Sequence, residues 1–304
     1  MSNKLPNFII SGFPKCGSTA LHYYLKEHPE IFMPKQKELH FFTSHILAKQ
    51  NQGPGDKEIK KPQIKSLKAY KNCFKNASDE KAIGDASPSY INYPELFLRI
   101  KEQLNGPKVI ILLRDPVKRA FSNYLHLLRE HRETLGFYEA LMSEDQRKSE
   151  NYSDFWYYTF NSSYSHKVLE AKRVFKDVLI LTQEELNSNT EQTIRKVFDF
   201  LGVDSTYIPN NLSRRYNPGG VYDINPVTKL IFKQTPLKSA IKKIIPVGVK
   251  LKHVKHKILK KYKVPSPEID EKSEEYLINF FKEDVKKLEK QGVDISLWDS
   301  RYTH

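Results

Sequence analysis

FIISGFPKCGSTALHYYL, Phe8 to Leu25, is the stretch on which the fold turns. Phe8 to Ser11 is a short apolar run of the kind buried on both faces of a sheet, and it ends at Gly12. A turn-rich loop, Phe13-Pro14-Lys15-Cys16-Gly17, leads into a helix expected from Ser18 to about Glu27. Gly12-x4-Gly17 followed by Ser18-Thr19 has the glycine spacing of a loop that closes backbone N–H groups on a phosphate, with the helix N-terminus adding a favourable dipole. It is not a Walker A motif, in which Lys follows the second Gly directly. Here Lys15 lies inside the loop and Ser18 follows Gly17. The only acidic residue near the end of the next buried strand, Asp115, reads as a helix cap. A magnesium-dependent kinase is therefore disfavoured, and no metal is expected.

Working outward, KVIILL (Lys108 to Leu113) reads as a second buried strand. Asp115-Pro116 then starts a helix, with Asp at the cap and Pro at its first position, running to about Glu130. Val178 to Leu181 is a third strand, a helix from about Glu191 stops at Gly202, and Asp270 to Gln291 is an amphipathic helix. This alternation predicts an α/β fold, a parallel sheet flanked by helices. Ligands of such sheets sit beyond the carboxyl ends of the strands. Gly12 to Thr19 and Arg114 to Ser122 both begin at such ends and should converge on one site.

The 304 residues, 39% hydrophobic and 28% charged, can bury a full core, which excludes a mainly disordered chain. Two cysteines, Cys16 and Cys73, offer neither a disulfide framework nor zinc-ligand spacing. No apolar run approaches the ~18 residues of a membrane span, and the start has no signal-peptide pattern. A cytoplasmic protein is expected, with membrane-peripheral contact left open. The formal charge of +14 is concentrated: Lys229 to Lys263 has 12 lysines and no Asp, Glu or Arg, and the rest of the chain carries only +2. That segment could meet an anionic surface, hold a polyanionic substrate, or be a solvated face over apolar packing. Its few aromatics and absent arginines argue against nucleic acid. A kinase and a non-catalytic polyanion binder are the competing readings.

FPKCGSTALHYYLKEHP resembles the 5′-phosphosulfate loop of sulfotransferases that use 3′-phosphoadenosine-5′-phosphosulfate (PAPS), and VIILLRDPVKRAFSNY is similar to their 3′-phosphate segment. The resemblance covers about residues 8 to 205 and implies a P-loop-like sulfotransferase core, with PAPS as co-substrate. It places Lys15, Cys16, Gly17, Ser18, Thr19 and Ala20 on the phosphosulfate, and Arg114 and Ser122 on the 3′-phosphate. Arg215, in SRRYNPGG, would be a third phosphate contact. One domain over 1–304 is expected, with a core of about 6–210 and a basic helical extension of about 211–304.

KELHFF, Lys37 to Phe42, looks like the acidic-x-His-Phe-Phe segment of the heparan-sulfate-type carbohydrate branch, whose Glu is the catalytic base. The resemblance makes Glu38 the base, Lys15 the group stabilising the leaving phosphate, and His40 an orienting or acceptor-binding residue. The bland alternatives are a surface ion pair of Glu38 with Lys35 or Lys37, and a satisfied buried histidine. DASPSY, Asp85 to Tyr90, resembles the Ser-Pro-x-Tyr segment of the same branch, although the lysine several members carry before Ser-Pro is missing. Thr43 also stands where an Asp can follow Phe-Phe. Both departures concern the acceptor, taken to be a carbohydrate or other small molecule. Seven aromatics between Tyr152 and Tyr164 could form a sugar-stacking wall or simply pack.

Overall fold

A computed structural model describes residues 4–59, 63–214, 216, 220–223, 225–232 and 258–303. Five strands form one fully parallel sheet: β1 (Phe8–Gly12), β2 (Ile31–Phe32), β3 (Ala82–Ala86), β4 (Lys108–Leu113) and β5 (Val178–Thr182), in the order β2-β3-β1-β4-β5. Ile9 lies opposite Asp85 on one side and Val109 on the other, and Leu112 opposite Leu181. Central strands β1 and β4 are buried on both faces, as their unbroken apolar runs require. The expected α/β class holds, and the three strands foreseen are β1, β4 and β5.

Two strands of this sheet escaped the sequence reading. β2 is two residues long, and β3 (AIGDA) is interrupted by Gly84 and Asp85. Gly84 is there for packing: a Cβ would sit 2.2 Å from the Phe8 ring and 2.5 Å from Met33 Sδ. A strand that accommodates a neighbour by losing a side chain carries little β-propensity.

The helix caps follow the sequence closely. Asp115 accepts from Lys118 N (3.0 Å) ahead of helix Pro116–Arg129, and Gly202, at φ 78°, closes helix Thr190–Leu201. Asp270 caps helix Glu271–Lys290 through Ser273 N. That last helix belongs to the main core, where Leu277, Phe281, Val285 and Leu288 are buried in the cluster containing the sheet. The C-terminal part is thus more than a basic helical appendage. It also contributes an antiparallel strand pair, Val221–Tyr222 with Lys263–Val264. Residues 233–257 of the lysine-rich segment lie outside the described residues. No helix among those described is long and apolar enough to cross a membrane.

Candidate active site

The loop after β1 and the helix after β4 meet at the carboxyl ends of their strands. Lys15, Gly17, Ser18, Thr19 and Ala20 line a cavity of about 1200 Å³ together with Arg114, Ser122, Glu38 and His40. The convergence expected from the strand ends is therefore observed. Gly17, at φ 95°, is the N-cap of helix Ser18–Leu25, and no side chain caps that helix. Its first N–H groups have no partner within the helix and open on the cavity. A side chain at position 17 would have to adopt the left-handed backbone that glycine tolerates.

Cations surround this loop. Burial, then the charges of Arg129, Arg119 and Arg114, pull the Lys15 ammonium down from 10.5 to about 7. Arg114 Nη1 donates to Lys15 O (3.5 Å). Arg119, fully buried, donates to Pro14 O (3.1 Å), Tyr158 O (3.3 Å), Ser162 Oγ (3.3 Å) and Asn123 Oδ1 (2.6 Å), with no carboxylate partner among the described residues. It ties the loop to the helix that carries Ser122. Arg119→Met is expected to take the guanidinium donors from Pro14 O and Asn123 Oδ1 and to cost about 2–4 kcal/mol in urea unfolding. An unchanged midpoint would show that the guanidinium does not hold the loop.

Cys16 departs from its expected place. Its side chain is buried, its N–H donates to Phe13 O (3.3 Å), and burial pushes the thiol up to about 12. It packs beneath the loop rather than facing the cavity. Arg215 lies outside the described residues.

Glu38 and His40 stand in a strained turn, at φ 60° and 52°. Such backbone is costly for side-chain-bearing residues and persists where surrounding contacts enforce it. Those contacts come from the end of β3. Glu38 N donates to Ala86 O (2.9 Å), His40 N to Ser87 Oγ (3.3 Å), and His40 Nδ1 shares a hydrogen bond with Ser89 Oγ (2.8 Å). Phe42 is fully buried and Phe41 stacks on Tyr70 at 4.4 Å, so the Phe-Phe pair anchors the turn. Beneath it, buried Asp85 accepts from Ser87 Oγ (2.7 Å), Tyr70 Oη (2.9 Å) and Tyr90 Oη (2.9 Å), and burial raises its carboxyl pKa. DASPSY is therefore the platform on which the Glu38 turn rests.

Sequence reading weighed Lys37 only as an ion-pair partner. Its Nζ lies 2.9 Å from Glu38 Oε1 and 3.3 Å from Ser18 Oγ, bridging the acidic turn to the phosphate-type loop. Adjacent residues of an extended chain point to opposite faces. With Glu38 in left-handed backbone, Lys37 and Glu38 both line the cavity. His40 Nε2 is 3.8 Å from Glu38 Oε2. The pair of Glu38 with Lys37 is thus real, but it lines the cavity instead of lying on open surface. No sequence signal short of the turn geometry gives this arrangement.

The aromatic stretch is mostly packing. Trp156, Tyr157, Tyr158 and Tyr164 are buried, and Phe155 is the one member of the seven that lines the cavity. Among the described residues no cluster of His, Cys, Asp and Glu is arranged to hold a metal.

Residues 6–207 match the model of the sulfotransferase family. A solved structure of a sulfotransferase from Alicyclobacillus acidocaldarius is 31% identical at a TM-score of 0.75, covering 97% of this chain and 98% of that one. Among curated proteins, the membrane-associated sulfotransferase kil1 of Dictyostelium discoideum is 36% identical over 120 residues, 40% of this chain and 22% of its own length. Carbohydrate sulfotransferase 15 of Mus musculus is 26% identical over 286 residues, covering 76% of this chain and 51% of that protein. Human heparan sulfate glucosamine 3-O-sulfotransferase 3B1 is 27% identical over 204 residues, covering 66% and 47%. The chain spans about a fifth to a half of the length of these curated relatives.

Proposed function

The chain belongs to the sulfotransferase family, and from that membership we propose that it moves a sulfuryl group from PAPS to a hydroxyl or amine of a carbohydrate or glycolipid acceptor. The observation that carries this reading is the single cavity shared by the uncapped loop at Lys15–Ala20, the Arg114–Ser122 segment and Glu38. The residues fit a nucleotide with phosphate at both ends. The helix N-terminus and Lys15 suit the 5′-phosphosulfate, and Arg114 with Ser122 suits the 3′-phosphate.

PAPS supplies an activated sulfuryl group on a good leaving phosphate. Glu38 takes the proton of the acceptor oxygen or nitrogen as that atom bonds to sulfur. The bond from sulfur to the bridging oxygen breaks, and Lys15 neutralises the charge that collects there. His40, held by Ser89, faces the second oxygen of Glu38 and orients it. Lys37 lies between the base and Ser18, next to the path of the transferring group.

Calorimetric titration with 3′,5′-adenosine bisphosphate, beside ATP with magnesium, tests the donor. Tight bisphosphate binding is expected, falling about 10- to 100-fold in Arg114→Ala as a charge-assisted contact is lost. ATP binding with no preference for a 3′-phosphate would overturn the reading in favour of a kinase.

A further inference from the structure

The basic excess of the chain has a second centre besides the segment after Lys229. Residues 57–75, KEIKKPQIKSLKAYKNCFK, contain seven lysines and one glutamate, with no arginine or aspartate. Ser66 caps the short helix Leu67–Asn72 in this stretch, its side chain accepting from Ala69 N (3.2 Å). Tyr70 and Phe74, four residues apart, are fully buried. Tyr70 stacks on Phe41, donates to Asp85 and meets Phe74 edge-on at 5.2 Å. One side of the helix is thereby fixed to the platform under the Glu38 turn.

The other side carries charge. Lys68 and Lys71 are three residues apart on the helix, the spacing of neighbours on one face, Lys75 follows one turn on, and Lys65 precedes the cap. Lys65, Lys68 and Lys75 are exposed and Lys71 half-buried, and none of the four has a carboxylate within ion-pair distance among the described residues. Other surface lysines are paired: Lys81 with Glu30, Lys148 with Glu144, Lys196 with Glu185. Within the row, between Lys65 and Lys68, Leu67 keeps 40% of its surface exposed. The row starts at the rim of the cavity. Gln63 lines the cavity, and Ile64 N donates to Leu39 O (3.0 Å), between Glu38 and His40.

A soluble polyanion and an anionic bilayer both suit a row of lysines, and the residue types separate them. Recognition of individual sulfate or phosphate groups favours arginine, whose fork of donors meets two oxygens at once. This stretch has none. Lysines are point charges on flexible stems, and they answer to the averaged field of acidic headgroups, which asks for no fixed geometry. Leu67 adds what a bilayer can use and a soluble polyanion cannot, an apolar group able to enter the headgroup boundary.

We infer that the face formed by Lys65, Leu67, Lys68, Lys71 and Lys75 docks on an anionic lipid surface, with the rim of the cavity at Gln63 turned towards the bilayer. A glycolipid acceptor would then meet the cavity without leaving the membrane. That consequence rests on the proposed sulfotransferase reading, whereas the docking itself does not.

The test is co-sedimentation of the full chain with vesicles of phosphatidylcholine alone, and with vesicles in which phosphatidylserine replaces about a third of it. Binding is expected only with the acidic lipid, and it weakens as salt is raised. Each lysine near the surface contributes about fivefold, so the triple variant Lys65→Gln, Lys68→Gln, Lys71→Gln should bind about 100-fold more weakly. The charge-conserving triple variant Lys65→Arg, Lys68→Arg, Lys71→Arg should stay within about twofold. Leu67→Ser should lose about fivefold at unchanged charge. Urea unfolding of each variant, expected close to the midpoint of the unaltered protein, separates lost docking from lost folding. Absence of binding to the acidic vesicles would overturn the inference. So would binding that survives the triple Gln variant, since the lipid would then be met elsewhere on the chain. Binding lost in that variant but untouched by Leu67→Ser would overturn it too, because charge alone would mark a face for a soluble polyanion. No vesicle readout uses PAPS or bisphosphate, so failure of the donor reading leaves these results unaffected.

Discussion

Glu38→Gln is expected to lower the turnover number by 10³-fold or more, towards the upper end of what general-base catalysis supplies, while bisphosphate binding is unchanged. The substitution keeps the size and reach of the side chain but removes its ability to accept a proton. The turn does not depend on the carboxylate: Glu38 N still donates to Ala86 O, Ser87 and Ser89 still hold His40, and Phe41 and Phe42 stay anchored. Lys37 also donates to Ser18 Oγ of the phosphate-type loop, a contact that does not need the Glu38 carboxylate and leaves the nucleotide end in place. Single-turnover sulfuryl transfer, run beside bisphosphate calorimetry, separates the two quantities. If the pair with Lys37 were only a solvent-screened ion pair, worth at most about 1 kcal/mol, turnover would survive and another base would have to be found.

How much of this site could be read from the chain depends on how each residue reaches it. Lys15, Gly17, Ser18, Arg114 and Ser122 sit immediately after buried strands, where apolar runs and helix-start residues mark the ends in sequence. Their convergence follows from the parallel topology, and the structure agrees. Glu38 and His40 reach the cavity through left-handed backbone stabilised by β3, a strand that Gly84 and Asp85 conceal. Only a likeness of motif could point to them, and nothing local distinguished Lys37 from a surface lysine. Arg119 and Arg129 lie on the same amphipathic helix, one fully buried and the other lining the cavity. Both have the sequence signature of solvated arginines on a surface helix. Tertiary contacts with Pro14 O and Tyr158 O set the first apart, and its place in the cavity lining the second. Cys16 shows the converse, since a helix N-terminus alone gave no hint that the thiol would turn inward to Pro14 O.

Bisphosphate affinity is expected to fall roughly twentyfold between pH 6.5 and 8.5, with close to one proton taken up per complex at the upper pH. The cause is Lys15, whose ammonium is brought to about 7 by burial and by the neighbouring arginines. Below pH 7 the free protein already carries the charge that an anion requires, so affinity is level there. Above pH 7 the free protein holds Lys15 neutral, and an anion bound on the loop must recruit a proton to restore the ammonium. Each further pH unit then weakens binding by up to tenfold, until the pKa of the complex is reached. Stability of the free protein runs the other way. The unfolded chain holds that proton up to the ordinary lysine range, so it binds more protons than the folded state above pH 7, and folding gains as pH rises. Calorimetry in two buffers of different ionisation enthalpy measures the proton uptake directly, and Lys15→Met should give weaker binding with a flat pH profile. A wild-type profile equally flat across pH 7 would mean that Lys15 keeps its proton in the empty loop. The four cations around the loop would then be balanced by a charge other than the incoming phosphate.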